Sequence, residues 1–417
     1  MSDVKKTVAF LWHPGFQYRL FGLIAEALPG EVAVRRLGMP QLVVQKKLLA
    51  MLPRRPLQLP DAIESLAAQD YLRKTCRRPD LATERFRNRV RRNAVEWYRF
   101  FQRKLEGVDL LVVWHGYKRA ASLAVVAARE QGTQVIFCEN GLLPGTLAMD
   151  TMGINFESSL TGLGPDFYRS VRMDPVKTDI LLNTALEQRP FRSTARVTLE
   201  DCDDSKDLPD RYVLFAMQVH DDSQVLLFSP RFPSMESAVP YAAEQVAAYN
   251  RRHGDSLKLV VKEHPSDFGR VDYTAMRAAL PDVYFLRAKP VSEIIGRAAA
   301  VVTLNSTVGV EGLLHFRPVI TLGDACYNVP GMVWHVGPDE DMVDSLAEAV
   351  DASVDRDLIT RFLYFLRYEY LVPVSKKSCT PATIGPAADR VLDVLYGRWP
   401  YWETARVHES RRLQRMV

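Results

Sequence analysis

Three short stretches in the second half of the chain carry the side chains best suited to chemistry. The first is Asn305-Ser306-Thr307, which follows an apolar run at 301–304 and opens a helical pattern reaching His315, with a second β-rich run at 318–322. Strand, hydroxyl-rich turn, helix and strand in that order turn backbone N–H groups toward an anion. Glu311, about one turn into the helix, is placed to reach a sugar hydroxyl. The second stretch, Lys262-Glu263-His264-Pro265, adds an ammonium and an imidazole; the third runs from Gln218 through Asp221 and Asp222 to Gln224. Hydroxyls on phosphate, a cation beside it and a carboxylate on ribose suit a nucleotide. Ser and Thr are also ordinary helix N-caps, so the first stretch taken alone reads equally as a capped helix between core strands.

All three stretches follow β-type runs, at 212–218, 257–261 and 301–304. Ligand groups in doubly wound sheets gather outside the carboxyl ends of strands. A further strand is expected at 283–286, and helices at 237–250, 272–279, 291–297, 342–350, 356–369 and 387–395. The first half alternates in the same way, with strands at 8–12, 31–36, 108–114 and 134–137 and helices at 18–28 and up to Arg129. His13 and Gly15 follow the first of these strands and His115 the third; the fourth runs into Cys138-Glu139-Asn140-Gly141 and a polar loop through Asp150 to Asn155. These strand-end groups are candidates to line a cleft on the acceptor side, although a plain turn or a turn-capping acid is the simpler reading of each.

The chain has neither the GxxxxGK[ST] loop of P-loop chemistry nor the GxGxxG dinucleotide fingerprint. The pattern predicts an α/β, GT-B-like fold of two Rossmann-like domains facing a central cleft. Residues 1–200 form the acceptor-side domain with a basic helical insertion at about 60–105, residues 211–390 the nucleotide-sugar domain, and residues 391–417 a tail. A polar stretch at 189–211 reads as the linker. In a two-lobed glycosyltransferase of this kind one carboxylate serves as general acid/base or as nucleophile.

Composition sets outer limits. A chain of 417 residues with 47% hydrophobic and 25% charged content is ordinary for globular domains with sizeable cores, two or three in number. Cys76, Cys138, Cys202, Cys326 and Cys379 are scattered without a CxxC pair, which argues against structural zinc or a disulfide framework and fits a reducing compartment. No run approaches the ~18–20 apolar residues of a membrane span, and the N-terminus lacks the apolar core of a signal peptide. A cytoplasmic location is therefore expected. From Tyr71 to Lys104 twelve Lys and Arg oppose three acids, a local +9 against +4 overall, so the remainder is net −5. Phe86, Val90, Trp97, Tyr98, Phe100 and Phe101 are interleaved with these charges, as in an amphipathic helix that buries its aromatics. The asymmetry also favours an anionic partner. With no nucleic-acid motif present, an anionic membrane surface is the more economical one, at about 1 kcal/mol per well-placed basic residue.

Four blocks, at 138–155, 215–225, 260–265 and 301–333, resemble the capsule polysaccharide biosynthesis family, and more closely its KpsS-type β-Kdo transferases, relatives of KpsC. The resemblance implies a retaining, metal-independent glycosyltransferase that moves Kdo from CMP-Kdo to a phosphatidylglycerol-type lipid acceptor, with no other cofactor. It implies a peripheral place on the inner face of the Gram-negative inner membrane, and other capsule assembly proteins as partners. Carried over by motif, Glu139 is the candidate acid/base and Asp222 the candidate nucleophile or oxocarbenium stabiliser, with Asp221 leaving that register open. Gln218, Lys262, His264, Asn305, Ser306, Thr307 and Glu311 match the CMP-binding blocks. Two other readings stand beside this one: transfer from another nucleotide sugar, such as a UDP-sugar or CMP-sialic acid, or a non-catalytic export or assembly component. The presence of both Glu139 and Asp222 beside a complete nucleotide block argues against the latter.

Overall fold

The computed structural model describes residues 5–39, 42–45, 60–117, 120–185, 207–375 and 378–400. The chain divides into two compact units, one built from residues up to Gly162 together with those from Tyr370 onward, the other from Leu163–Glu369.

The first unit starts with β1 (Thr7–Trp12), α1 (Phe16–Ala27) and β2 (Ala33–Gly38). Two long helices follow, α2 (Ala62–Arg77) and α3 (Glu84–Lys104), the latter capped by Thr83 Oγ1, which accepts from the Phe86 N–H at 3.2 Å. Then come β3 (Leu110–Trp114), α4 (Ala120–Glu130), β4 (Gln134–Asn140) and β5 (Leu147–Asp150). The sheet order is β2-β1-β3-β4-β5, parallel except for β5. Leu110, Leu111, Val112 and Val113 of β3 are fully buried, as an unbroken apolar run in a parallel sheet covered on both faces must be. The aromatic residues of α3 join the same core: Trp97 stacks on Phe101 at 5.4 Å and meets Phe100 edge-on at 5.6 Å.

The second unit opens with two helices, α5 (Pro165–Ser170) and α6 (Pro175–Ala185). Its alternation then runs β6 (Tyr212–Ala216), α7 (Ser223–Phe228), α8 (Met235–His253), β7 (Lys258–Lys262), α9 (Thr274–Ala279), β8 (Tyr284–Leu286), α10 (Val291–Ile295), β9 (Ala300–Thr303), α11 (Val308–Leu314), β10 (Val319–Thr321) and β11 (Trp334–His335). Helices α12 (Met342–Ala349) and α13 (Arg356–Phe365) complete it. The sheet is wholly parallel, in the order β11-β10-β9-β6-β7-β8. Each unit is thus a doubly wound α/β layer, the Rossmann-like pair expected of a GT-B-like chain. Gly309 and Gly312 let α11 settle on the strands: a Cβ at Gly309 would lie 2.4 Å from Tyr327 Oη, and one at Gly312 would lie 2.9 Å from Val319 Cγ2.

The structure departs from the sequence reading in three places. The 138–155 loop contains a hairpin, since β4 continues through Glu139 and Asn140 and pairs with the antiparallel β5. Its turn is closed by Gly141 N–H donating to Thr146 O at 2.9 Å, where a side chain on residue 141 would collide with Thr146. Residues 163–185 belong to the second unit, although the expected boundary fell near 200; of the predicted linker at 189–211, residues 189–206 lie outside the described residues. The chain also returns from the second unit to the first. Val372 pairs with Leu147, and the last helix, α14 (Gly385–Leu395), sends Arg390 Nη1 to Met149 O at 3.1 Å and Tyr370 O at 3.0 Å. The expected 211–390 domain therefore closes at Glu369.

Candidate functional site

In the second sheet the strand order reverses between β6 and β9, and the carboxyl edge at such a switch point is the usual place for a ligand crevice. Gln218 follows β6 and Asn305 follows β9. Gln218 Nε2 donates to Asn305 Oδ1 at 2.9 Å, and the Asn305 N–H donates back to Gln218 Oε1 at 3.1 Å. Asn305 Nδ2 also reaches Gln224 O and Phe228 O, both at 3.0 Å, so this residue holds α7 against the strand ends. Both amides are buried. They shape the crevice, and their polar atoms are occupied by each other and by backbone.

The turn that follows is more accessible. Asp222 is half-buried and caps α7, its Oδ1 accepting from the Gln224 N–H at 2.9 Å. The helix was not anticipated from sequence, and it fixes which of the two adjacent acids is the cap. Asp221 faces elsewhere, with Oδ2 3.4 Å from Arg270 Nη2. Gln224, at the end of the same stretch, was given no role by the sequence reading. Its side-chain amide is 6% exposed, and neither Oε1 nor Nε2 has a hydrogen-bond partner among the described residues. A buried amide in that condition is a group that a ligand or water would satisfy.

At the end of β7, Lys262 Nζ donates to Glu263 O and Arg287 O, both at 2.9 Å, and is buried; it ties strand ends together. Glu263, equally buried, is held by Arg277 and Arg287. His264 Nδ1 accepts from the Ser266 N–H at 3.1 Å, which leaves the ring proton on Nε2 and makes that atom a donor. Burial pushes the His264 imidazolium below its ordinary value; the charges of Asp267 and Asp222 oppose this, while Lys262 and Arg270 reinforce it. His264 is thus a neutral donor within electrostatic reach of Asp222.

At the end of β9, Ser306 Oγ accepts from the Val308 N–H at 3.2 Å, and Ser306 O accepts from the Gly309 N–H and from Tyr327 Oη. Thr307 is exposed and Glu311 half-buried. The first N–H groups of this seven-residue helix are therefore partly answered from within.

In the first unit, His13 and Gly15, His115, and Glu139 with Asn140 stand at the carboxyl ends of β1, β3 and β4, with the sheet's reversal between β1 and β3. His115 has a left-handed backbone, φ 64°, fixed by its N–H donating to Cys138 O at 2.8 Å. Glu139 Oε1 accepts from the Asn140 N–H and Nδ2 at 2.7 and 2.8 Å. Asn155 also has positive φ, 52°. Asp150 stands apart from this edge. The antiparallel course of β5 brings it level with Phe137, fully buried, where its carboxylate accepts from Met152 N, Ser159 N, Ser159 Oγ and Tyr370 Oη. It pins the returning chain. Burial raises its carboxyl above the ordinary value, and the four donors oppose this without reversing it. Behind His13 lies a cavity of about 220 Å³ between α2, α3 and α4, whose wall includes Lys74, Asp70, Asn93 and Trp97.

Two doubly wound α/β units, each with its polar groups at the carboxyl edge, define the class. The comparisons define the family. Residues 177–367 match the family described as capsule polysaccharide biosynthesis protein. Over 347 residues the chain is 34% identical to Protein FixF of Sinorhizobium fredii, covering 79% of this chain and 78% of that one. It is 32% identical over 135 residues to the capsule polysaccharide export protein KpsS of Escherichia coli, 31% of this chain and 34% of that one. Among solved structures, the KpsC β-Kdo 2,7 transferase of Thermosulfurimonas dismutans aligns with a TM-score of 0.43 and 15% identity, over 71% of this chain and 89% of that one. The chain belongs to the capsule polysaccharide biosynthesis family.

Because the fold favours neutral His264, its contribution to stability is present above the unfolded imidazole value of about 6.5 and is lost as pH falls through the lowered folded value. His264→Asn keeps an acceptor for the Ser266 N–H and cannot titrate. Thermal melts between pH 8 and 5 are expected to show a shallower acid-side decline in the variant, though not a flat one, since burial also lowers His315 and His335. Superimposable slopes would contradict the assignment.

Proposed function

We propose that this protein is a retaining glycosyltransferase of capsule assembly that transfers Kdo from CMP-Kdo to a phosphatidylglycerol-type lipid acceptor. The observation that carries the reading is the gathering of Gln218–Asp222, Lys262–His264 and Asn305–Thr307 at adjacent carboxyl ends of one sheet, beside its reversal point. CMP-Kdo presents a phosphate and a sugar carboxylate, and two groups of this edge are suited to such anions: the His264 Nε2–H donor and the hydroxyls of Ser306 and Thr307. Glu311 is assigned to a ribose hydroxyl.

In the reaction, the bond from the anomeric carbon to phosphate breaks as charge develops on the sugar. Asp222 is assigned to that carbon as nucleophile or as stabiliser of the oxocarbenium ion, and Glu139 to proton transfer with the acceptor hydroxyl. The cap bond to Gln224 N–H fixes the Asp222 carboxylate. Metal independence belongs to the same proposal. So does a membrane-facing role for α3, whose exposed Arg85, Arg87, Arg89, Arg92 and Arg103 project from a helix that has its aromatic side in the core. Among the described residues no helix is long and apolar enough to cross a membrane, so contact through this face is electrostatic.

Asp222→Asn retains the cap, because asparagine accepts at that position as well as aspartate does. The variant is expected to lose CMP release from CMP-Kdo by at least ~10³-fold while binding CMP as the parent does; turnover at the parent rate would remove Asp222 from its role. For the membrane contact, the protein is expected to float with phosphatidylglycerol vesicles at low salt and to detach at high salt. Arg85→Glu/Arg92→Glu is expected to weaken flotation, and a parent protein that stays at the bottom of the gradient at low salt would rule the contact out.

A further inference from the structure

His220 sits between the Gln218 clasp and the Asp222 cap, and nothing in the motif reading gave it a part. Its ring is one edge of a hydrogen-bonded cluster. Nδ1 lies 2.8 Å from Asp267 Oδ1, and the His220 backbone N–H donates to Asp267 Oδ2 at 2.9 Å. Tyr273 Oη donates to the same Oδ2 at 3.2 Å. Asp267 is 2% exposed, whereas the His220 side chain is 28% exposed. A carboxylate only accepts, so Nδ1 carries the proton and Nε2 presents a lone pair in the neutral ring. Among the described residues Nε2 has no partner. Burial, with the charge of Asp267 second, holds the Tyr273 phenol far above its ordinary value, so it remains a donor.

One turn sets both histidines of the site, in opposite senses. His264-Pro265-Ser266-Asp267 directs the Ser266 N–H onto His264 Nδ1 and the Asp267 carboxylate onto His220 Nδ1. His264 is left as a fixed neutral donor. His220, backed by a buried carboxylate, can take a second proton on Nε2 and give it up again. The other charged groups near this corner are Asp221 and Asp222 on the same loop, Lys262 at the end of β7, and Arg270, which lies 3.4 Å from Asp221 and 3.9 Å from Asp267.

We propose that His220, held by Asp267 and Tyr273, is the general acid for departure of the donor's phosphate. The proposal rests on the nucleotide-sugar reading above. As the bond from the anomeric carbon to the phosphate oxygen breaks, its electron pair stays on that oxygen. The Nε2 proton passes to the phosphate, the nucleoside monophosphate leaves with one proton more, and the neutral ring is reprotonated from water. A positioned imidazole is the commonest side chain for a proton transfer of this kind.

Two measurements decide it. The first follows the histidine Cε1–H resonances of the full chain against pH, with the His220 signal identified by its loss in His220→Gln. CMP is expected to raise the His220 midpoint by about one unit or more, because the phosphate dianion faces Nε2, and cytidine to leave it in place. CMP that binds without moving the midpoint overturns this inference alone. CMP that fails to bind overturns the donor reading and the inference with it. The second follows CMP release from CMP-Kdo with phosphatidylglycerol vesicles. His220→Gln is expected to lower kcat by ~10²–10⁴-fold with little change in KM, and to abolish the alkaline limb of the pH profile; Tyr273→Phe gives a smaller loss in the same direction. A retained alkaline limb in His220→Gln contradicts the assignment.

Discussion

The second unit depends on two amides that face each other across the reversal point of its sheet. Gln218 and Asn305 exchange a pair of hydrogen bonds between the ends of β6 and β9, and Asn305 adds two more to the backbone of α7. All of this is buried, so removing either partner would leave unmatched polar groups, at about 1–3 kcal/mol for each orphan. The clasp sets where α7 begins, and therefore where its cap residue, Asp222, presents its carboxylate. Residues that resemble binding groups in sequence act here as the mounting for others.

The same division of labour recurs along both carboxyl edges. Lys262 and Glu263 look like ligand groups but hold strand ends and arginines; Asp150 looks like a cleft acid but anchors the returning chain. Other side chains of these edges remain accessible, among them Asp222, His264, His220, Ser306, Thr307 and Glu311 in the second unit and His13, His115, Glu139 and Asn140 in the first. Rigid, buried polar contacts behind a small exposed set are what a site requires if its reactive groups are to stay in register.

Much of this was legible from residue pattern. Buried parallel strands announce themselves as unbroken apolar runs, and those at 110–114, 212–216 and 300–303 lie close to where such runs place them. The polar groups just past them then mark the crevice edge. What escaped had physical reasons. β5 is four residues long with no alternation, and α7 spans six residues that follow a pair of acids, so neither carries a period. The second unit's early start and the return of α14 depend on contacts such as Asp150 with Tyr370, 220 residues apart, which no local signal encodes. The His220–Asp267 pairing spans 47 residues and was invisible for the same reason. The aromatic side of α3 took the plainer of its two readings, core rather than contact surface.

The central claim is that the carboxyl edge of the second sheet holds the nucleotide of a CMP-linked sugar. A crystal structure of the full chain with CMP bound tests it most directly. The account predicts the phosphate within about 3 Å of His264 Nε2 and the hydroxyls of Ser306 or Thr307, with His220 Nε2 turned toward it and the ribose against Glu311. CMP lodged away from the ends of β6, β7 and β9, with these side chains untouched, would contradict it.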